Sequence, residues 1–347
     1  RDFCLSRGLG DVYKRQMVDL GNIAVLGGGS WATALAKLLL RGQQSITWFM
    51  RNPDRIDDFI RCGHNPVYLS DVSFDTDRIR FTSDIDEACS SADTLVVAVP
   101  SPYVRSHIDS ITVPIEAKNV VSAVKGIIPE VNMIVTDYFM HRFGCRDQNL
   151  LVIGGPCHAE EVALERLSYL TIGCHDAEKC EAFASLLRGP RLKTILSGDV
   201  DGIEYGAVLK NVYAIAAGMA GGMKLGDNFI AMLVCNAARE MRRFVDTVDP
   251  SERDICASAY LGDLLVTAYS RFSRNHNFGA MIGKGYSVQA AKMEMEMVAE
   301  GYYGTKCVHD VNRSYGVKMP ILDCVYNILY RRMNPRKAFA LIYDSFS

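Results

Sequence analysis

One stretch limits the fold of this chain more than any other. A short apolar run, Ile23–Leu26, leads directly into Gly27-Gly28-Gly29-Ser30-Trp31-Ala32 and then into a helical pattern over Trp31–Leu40. The six residues fit G-x-G-x-x-G/A at a strand-to-helix turn, the fingerprint of dinucleotide binding. Gly27 permits the tight turn, Gly29 lets backbone approach a pyrophosphate, and Ala32 is small enough for close helix–strand packing. The helix that follows points its N-terminus at the phosphates.

The rest of the chain continues that beginning. Ile46–Phe49 follows the Gly42 break, and Thr94–Val99 is apolar throughout, as suits a strand buried on both faces. Val120–Val124 and Leu150–Ile153 read the same way, with weaker strand signals at Leu170–Ile172 and Ile195–Leu196. Strands punctuated by helical segments imply an α/β fold, here an N-terminal Rossmann-type doubly wound parallel sheet. After about Gly202 strand runs give way to helical stretches such as Glu204–Met219 and Phe229–Val245. The expected division is 17–202 for the dinucleotide-binding domain and 203–347 for a mainly α-helical C-terminal substrate domain. Met293, Met295 and Met297 read as helix packing. Residues 1–16 show neither periodicity nor the apolar segment of a secretory signal, and are expected to form a leader outside the fold, with translation starting at Met17.

Composition narrows the function classes. A chain of 347 residues suggests about two domains. Lys+Arg 38 against Asp+Glu 40 leaves a formal charge of -2, which removes the electrostatic case for nucleic acid or an anionic membrane. No apolar run approaches the roughly 18 residues of a membrane span. Eleven cysteines sit singly, without a CxxC pair, and read as reduced thiols, mostly in the core of a cytosolic protein. The seven histidines are scattered, and no metal site is expected.

The second strand bears on the coenzyme. An NAD-preferring site usually places an acidic residue about 20 residues beyond the glycines. This chain has Arg51 there, able to pair with a 2′-phosphate, so NADP(H) is expected over NAD(H). Polar residues then follow strand ends: Pro100-Ser101, Lys125-Gly126 and Gly155-Pro156-Cys157. In an open parallel sheet these ends line one crevice, where Lys125 could meet phosphate or a substrate oxygen. Lys210 and Asn211 interrupt an otherwise apolar helix, and a desolvated lysine can exchange a proton near neutral pH. Asp263 and Asn211 are the candidate partners that would orient Lys210. Ser273-Arg274-Asn275 combines a hydroxyl, a guanidinium and an amide, a set suited to phosphate. Taken singly, each feature also has a plainer reading as a solvated arginine, a snorkelling lysine, a helix cap or a polar turn.

Together the motifs resemble a known family. GGGSWATALA, AVKGI, GGPCHAEE, GAVLKNVYAIAAGM, LGDLLVT, SRNHNFG and VAEGYYGTK occur in the order and near the spacing of bacterial NAD(P)-dependent glycerol-3-phosphate dehydrogenases. The resemblance runs from roughly Ile23 to Leu329. It implies interconversion of dihydroxyacetone phosphate and sn-glycerol 3-phosphate in the cytoplasm, feeding phospholipid synthesis. It also implies a small phosphorylated triose as partner, no nucleic acid and no membrane insertion, and leaves a homodimer open.

The fingerprint sets Gly27 and Gly29 against the cofactor, and by resemblance Ser30, Trp31, Arg51, Ala159, Val298 and Glu300 contact it as well. Lys125 and Arg274 touch both cofactor and substrate. Gly155, Cys157, Asp263, Ser273 and Asn275 belong by resemblance to the substrate site, with Lys210 the proton donor and acceptor, and Asn211 beside Lys210 is expected to help hold the substrate. Cys157 and His158 depart from the family, which usually has Ser or Thr and then Phe. Two other functions share parts of this pattern, a β-hydroxyacid-type NAD(P) dehydrogenase and a catalytically silent NADP-binding regulator. The SRN and LGDL segments argue against the first, and Lys210, Asp263 and Arg274 retained together argue against the second.

Overall fold

The computed structural model describes residues 18–346 apart from 271, 296 and 298. The expected leader at 1–16, Met17 and Val298 therefore lie outside the described residues. Among the described residues, eight strands build one sheet: β1 Ile23–Leu26, β2 Ile46–Phe49, β3 Ile79–Thr82, β4 Thr94–Val97, β5 Asn119–Ser122, β6 Leu150–Gly154, β7 Ser168–Cys174 and β8 Leu192–Ser197. Their spatial order is β3-β2-β1-β4-β5-β6-β7-β8. The chain thus winds outward from β1 in one direction, returns, and winds outward from β4 in the other. The crevice beyond the carboxyl ends of β1 and β4 is the switch point where such sheets bind ligands.

Two features differ from the sequence reading. The sheet is not wholly parallel, because β7 runs antiparallel to β6. Residues 155–167 connect them with one short helix, Ala159–Ala163, which is too little chain to cover a sheet face as a parallel crossover does. Strand β3 carried no apolar run, since it lies at the sheet edge with Arg80 exposed and Phe81 half-buried. With Arg80 and Thr82 alternating with Ile79 and Phe81 over four residues, its apolar pattern is too short to read as a strand.

Helices Ser30–Gly42 and Ala177–Leu187 cover one face of the sheet with an apolar cluster that includes Leu35, Leu39, Trp48 and Phe183. Val135–Phe143 and neighbouring short helices cover the other, around Leu95, Val97 and Phe139. Beyond the sheet, the helix Val200–Gly222 is buried along nearly its whole length. A helix apolar all round must be surrounded, and Asp227–Val248, Arg274–Gly283, Glu300–Tyr315 and Pro320–Arg331 enclose it. Its crossing with Arg274–Gly283 is close enough that a Cβ on Gly218 would stand 2.0 Å from the His276 carbonyl oxygen. The division expected between residues 202 and 203 falls in the first turn of this central helix.

The methionine run departs from the expected helix packing. The helix Val288–Glu294 ends before Met295, Met293 is 79% exposed, and Met297 lines the cleft described below. Three methionines at alternate positions cannot share one face of a helix. Of the described cysteines, seven are buried free thiols, while Cys62, Cys235 and Cys256 are exposed. No helix among the described residues is long and apolar enough to cross a membrane.

Candidate active site

A cleft of about 310 Å³ opens at the switch point, between the sheet and the helices around Val200–Gly222. One wall is the glycine turn. Gly27 has φ +126°, and a Cβ there would meet the Ala98 carbonyl oxygen at 2.7 Å, so only glycine fits. Trp48 Nε1 donates to the Gly27 carbonyl (2.7 Å) and Asn65 Nδ2 to that of Gly28 (3.2 Å), fixing the turn from two sides. No described residue stands within 4 Å of where a Gly29 Cβ would lie. The helix Ser30–Gly42 starts there without a side-chain cap, and Trp31 Nε1 is buried with no hydrogen-bond partner among the described residues. Open backbone, an uncapped helix N-terminus and an orphaned donor fit the pyrophosphate of a dinucleotide. Arg51 stands exposed just past the end of β2, outside the residues that line the cleft.

The floor is a cluster of charge. Lys210, buried in the central helix, donates to Asp263 Oδ1, and Lys125 Nζ lies 3.7 Å from Asp263 Oδ2. Asp263 is 1% exposed, and its Oδ2 accepts no hydrogen bond among the described residues. Burial brings Lys210 down to about 8 against the pull of Asp263, with the neighbouring Lys125 adding to the fall. Lys125 moves the other way. Burial lowers it, but Asp263 and Cys157 outweigh that effect and hold it charged above the usual lysine range. Two cations beside one carboxylate cannot both keep their protons equally well, and such divergence separates a proton donor from a fixed charge.

Lys125 has further neighbours. Its Nζ donates to the Gly155 carbonyl (3.3 Å) and to Cys157 Sγ (3.2 Å), and lies 5.5 Å from the Trp31 ring centroid. The Cys157 thiol donates to the same carbonyl, and burial pushes its pKa up, so it is a neutral thiol here. Asn211, a candidate partner of Lys210, instead holds backbone, its Nδ2 donating to the main-chain oxygen of Lys125 (2.7 Å). A side chain at 211 points about 100° around the helix from one at 210, so the two serve different neighbours.

The opposite wall carries Ser273, Arg274 and Asn275 at the start of the helix Arg274–Gly283. Ser273 caps that helix, its hydroxyl accepting from the His276 N–H (3.2 Å). Asn275 Oδ1 accepts from the Gly301 N–H (2.8 Å), and Arg274 is exposed, its contact with Met297 sulfur a long 3.9 Å. Glu300 and Ala159 also line the cleft. Burial pushes the Glu300 carboxyl up, Arg274 opposes that, and Ser101 Oγ donates to it at 3.4 Å.

Sequence reasoning missed several residues. Asn65 is 3% exposed, yet only its Asn-Pro turn dipeptide marked it. Thr267, one helical turn beyond Asp263, donates to the Asp263 carbonyl (2.6 Å). Phe272 and Tyr68 sit at the mouth with no local signal of their own.

A dinucleotide cradle at the switch point of a doubly wound sheet, faced across one cleft by a desolvated lysine, defines a two-domain NAD(P)-dependent oxidoreductase. Similarity to known proteins narrows the class. Residues 22–180 match the NAD-dependent glycerol-3-phosphate dehydrogenase N-terminus, and residues 199–340 match its C-terminus. The NAD(P)+ glycerol-3-phosphate dehydrogenase of Chlorobium limicola is 33% identical over 311 residues, covering 89% of this chain and 93% of that one. A second, from Salinibacter ruber, is 34% identical over 318 residues, covering 90% and 92%. The crystal structure of glycerol-3-phosphate dehydrogenase from Coxiella burnetii superposes with a TM-score of 0.85 at 27% identity, over 93% of this chain and 98% of that one. The chain belongs to the NAD-dependent glycerol-3-phosphate dehydrogenase family.

Proposed function

We propose that the chain reduces dihydroxyacetone phosphate to sn-glycerol 3-phosphate with NADPH, or less well NADH, and catalyses the reverse oxidation. The buried Lys210–Asp263 pair beside Lys125, in the same cleft as the open glycine turn, carries this reading. A nicotinamide coenzyme, held along Gly29, Ser30 and Trp31, supplies or accepts the hydride. Negative charge then develops on the substrate oxygen, and a cationic acid must stand beside it. Lys210 gives up its Nζ proton in reduction and takes one back in oxidation, which a pKa of about 8 allows in both directions. Lys125 stays charged and holds the oxygen. Asp263 aims both ammonium groups. Arg274, Asn275 and the N-terminus of their helix hold the phosphate.

The ten described cysteines are all free thiols, in keeping with a reducing cytoplasmic setting where the product would feed glycerophospholipid synthesis. Loss of NADPH absorbance on adding dihydroxyacetone phosphate tests the proposal. Turnover of a β-hydroxy acid in its place, or of neither substrate, would overturn it.

A further inference from the structure

Glu204 lies outside the cleft, is 2% exposed, and bonds no cation among the described residues. An isolated buried carboxylate is costly unless several donors satisfy it. Here Ser122 Oγ donates to one oxygen, while the Thr136 main-chain N–H (3.0 Å) and hydroxyl donate to the other. Burial still pushes the carboxyl up to about 7, with these donors pulling the other way.

Its partners are informative. Ser122 is the last residue of β5, three residues before Lys125. Thr136 lies in the first turn of the helix Val135–Phe143, which has no side-chain cap of its own. Glu204 therefore caps that helix from another element and fastens both ends of residues 122–136. The same central helix grips the segment between those ends, through Asn211 on the Lys125 carbonyl. Lys210 rides on that helix six residues beyond Glu204, about 9 Å along the axis. A cation whose main chain is tied to the helix bearing the proton donor keeps its distance from that donor.

We propose that Glu204 is a positioning residue for the reaction: from the central helix it holds residues 122–136 so that Lys125 stays in register with Lys210 and Asp263. This rests on the function proposed above, so its test includes a readout independent of turnover. In a double-mutant cycle, Glu204→Ala should lower kcat/KM for dihydroxyacetone phosphate at least about tenfold in the parent, but less than about twofold in a Lys125→Met background, where no ammonium is left to place. Equal losses in both backgrounds would show mere support of the fold and overturn the proposal.

Acetic anhydride labelling of Lys125, measured by mass spectrometry against the exposed Lys193, should rise severalfold in Glu204→Ala. An unchanged ratio would also overturn it. Glu204→Gln keeps an oxygen for Thr136 and an amide that Ser122 can accept from, so it should recover most of both readouts. If Glu204→Ala does not fold, Ser122→Ala replaces it in the same measurements. A parent protein inactive on dihydroxyacetone phosphate would sink the functional reading, and the labelling ratio would still decide on the positioning.

Discussion

Lys210 and Lys125 flank one carboxylate yet titrate in opposite directions, because Lys210 is more completely desolvated and carries the repulsion of its neighbour. The lowered pKa sets the expected pH dependence. Below about 8 Lys210 is charged and can donate, so kcat for ketone reduction should decline as pH rises through that value. Alcohol oxidation, which needs the neutral amine, should decline as pH falls through it. Lys210→Met keeps the aliphatic stem and should cost at least about a hundredfold in kcat, with NADPH binding measured by fluorescence nearly unchanged.

Outside the cleft lining, past the end of β2, Arg51→Ala should erase the preference for NADPH if the side chain pairs with a 2′-phosphate. One charge-assisted contact of about 1.5–3 kcal/mol corresponds to roughly ten- to hundredfold in kcat/KM between the coenzymes. Equal values in the parent would count against a 2′-phosphate contact. Cys157→Ser should keep most activity, since a hydroxyl can make the same bonds to the Gly155 carbonyl and Lys125. A hundredfold fall in kcat would instead show that the thiol itself matters.

Among the elements, the central helix was the most legible and its anchoring the least. Its apolar run from Glu204 to Met219 stood out in the sequence, while the side chains that brace its capping residue come from 54 and 61 residues further on. Asp199 caps it by accepting from the Gly202 N–H (3.0 Å), and Arg253 binds Asp199 in turn (2.8 Å). Arg253 also holds Asp246 (2.6 Å) and Asp249 (2.9 Å), and Tyr260, in the turn just before Asp263, donates to Asp199. With its side chain 2% exposed, Arg253 joins the start of the Lys210 helix to the turn that delivers Asp263. Arg253→Met would leave carboxylates without their cation and should destabilise the fold by about 3–5 kcal/mol, seen as a lower urea midpoint. Nothing in the sequence around Arg253 distinguishes it from a surface arginine, because Asp199, the partner that ties it to the central helix, lies 54 residues away. The strands show the same limit. Runs buried on both faces, such as Val120 to Val124, announced themselves, whereas edge strand β3 did not.

For the molecule as a whole, buried acids set a pH dependence of stability. Glu240 is fully buried, its two oxygens accept the Ile321 and Leu322 N–H groups (2.9 Å each), and burial pushes it from 4.5 to about 7. The folded chain therefore keeps that proton to higher pH than the unfolded chain. The contribution is fully present below about 4.5 and is lost as pH rises through about 7. The half-buried His158 and His276, and the buried Lys210, shift downward and act in the opposite sense. Glu240→Gln isolates the single group: relative to the parent it should be more stable at about pH 8 than at about pH 5, by on the order of 3 kcal/mol. A pH-independent difference would place the titration elsewhere.

By itself the sequence determined the βαβ opening, the coenzyme class, the change from strands to helices near residue 200, and the polar residues at strand ends. All of these follow from local period and turn chemistry, which act over a few residues. Tertiary structure decided the antiparallel β7, the separate partners of Lys210 and Asn211, and the meeting of Lys210 with a carboxylate 53 residues away. It also decided which of two neighbouring lysines gives up its proton more readily. Desolvation and Coulomb interaction depend on distance in space and on what excludes water, and both exist only once the chain has packed.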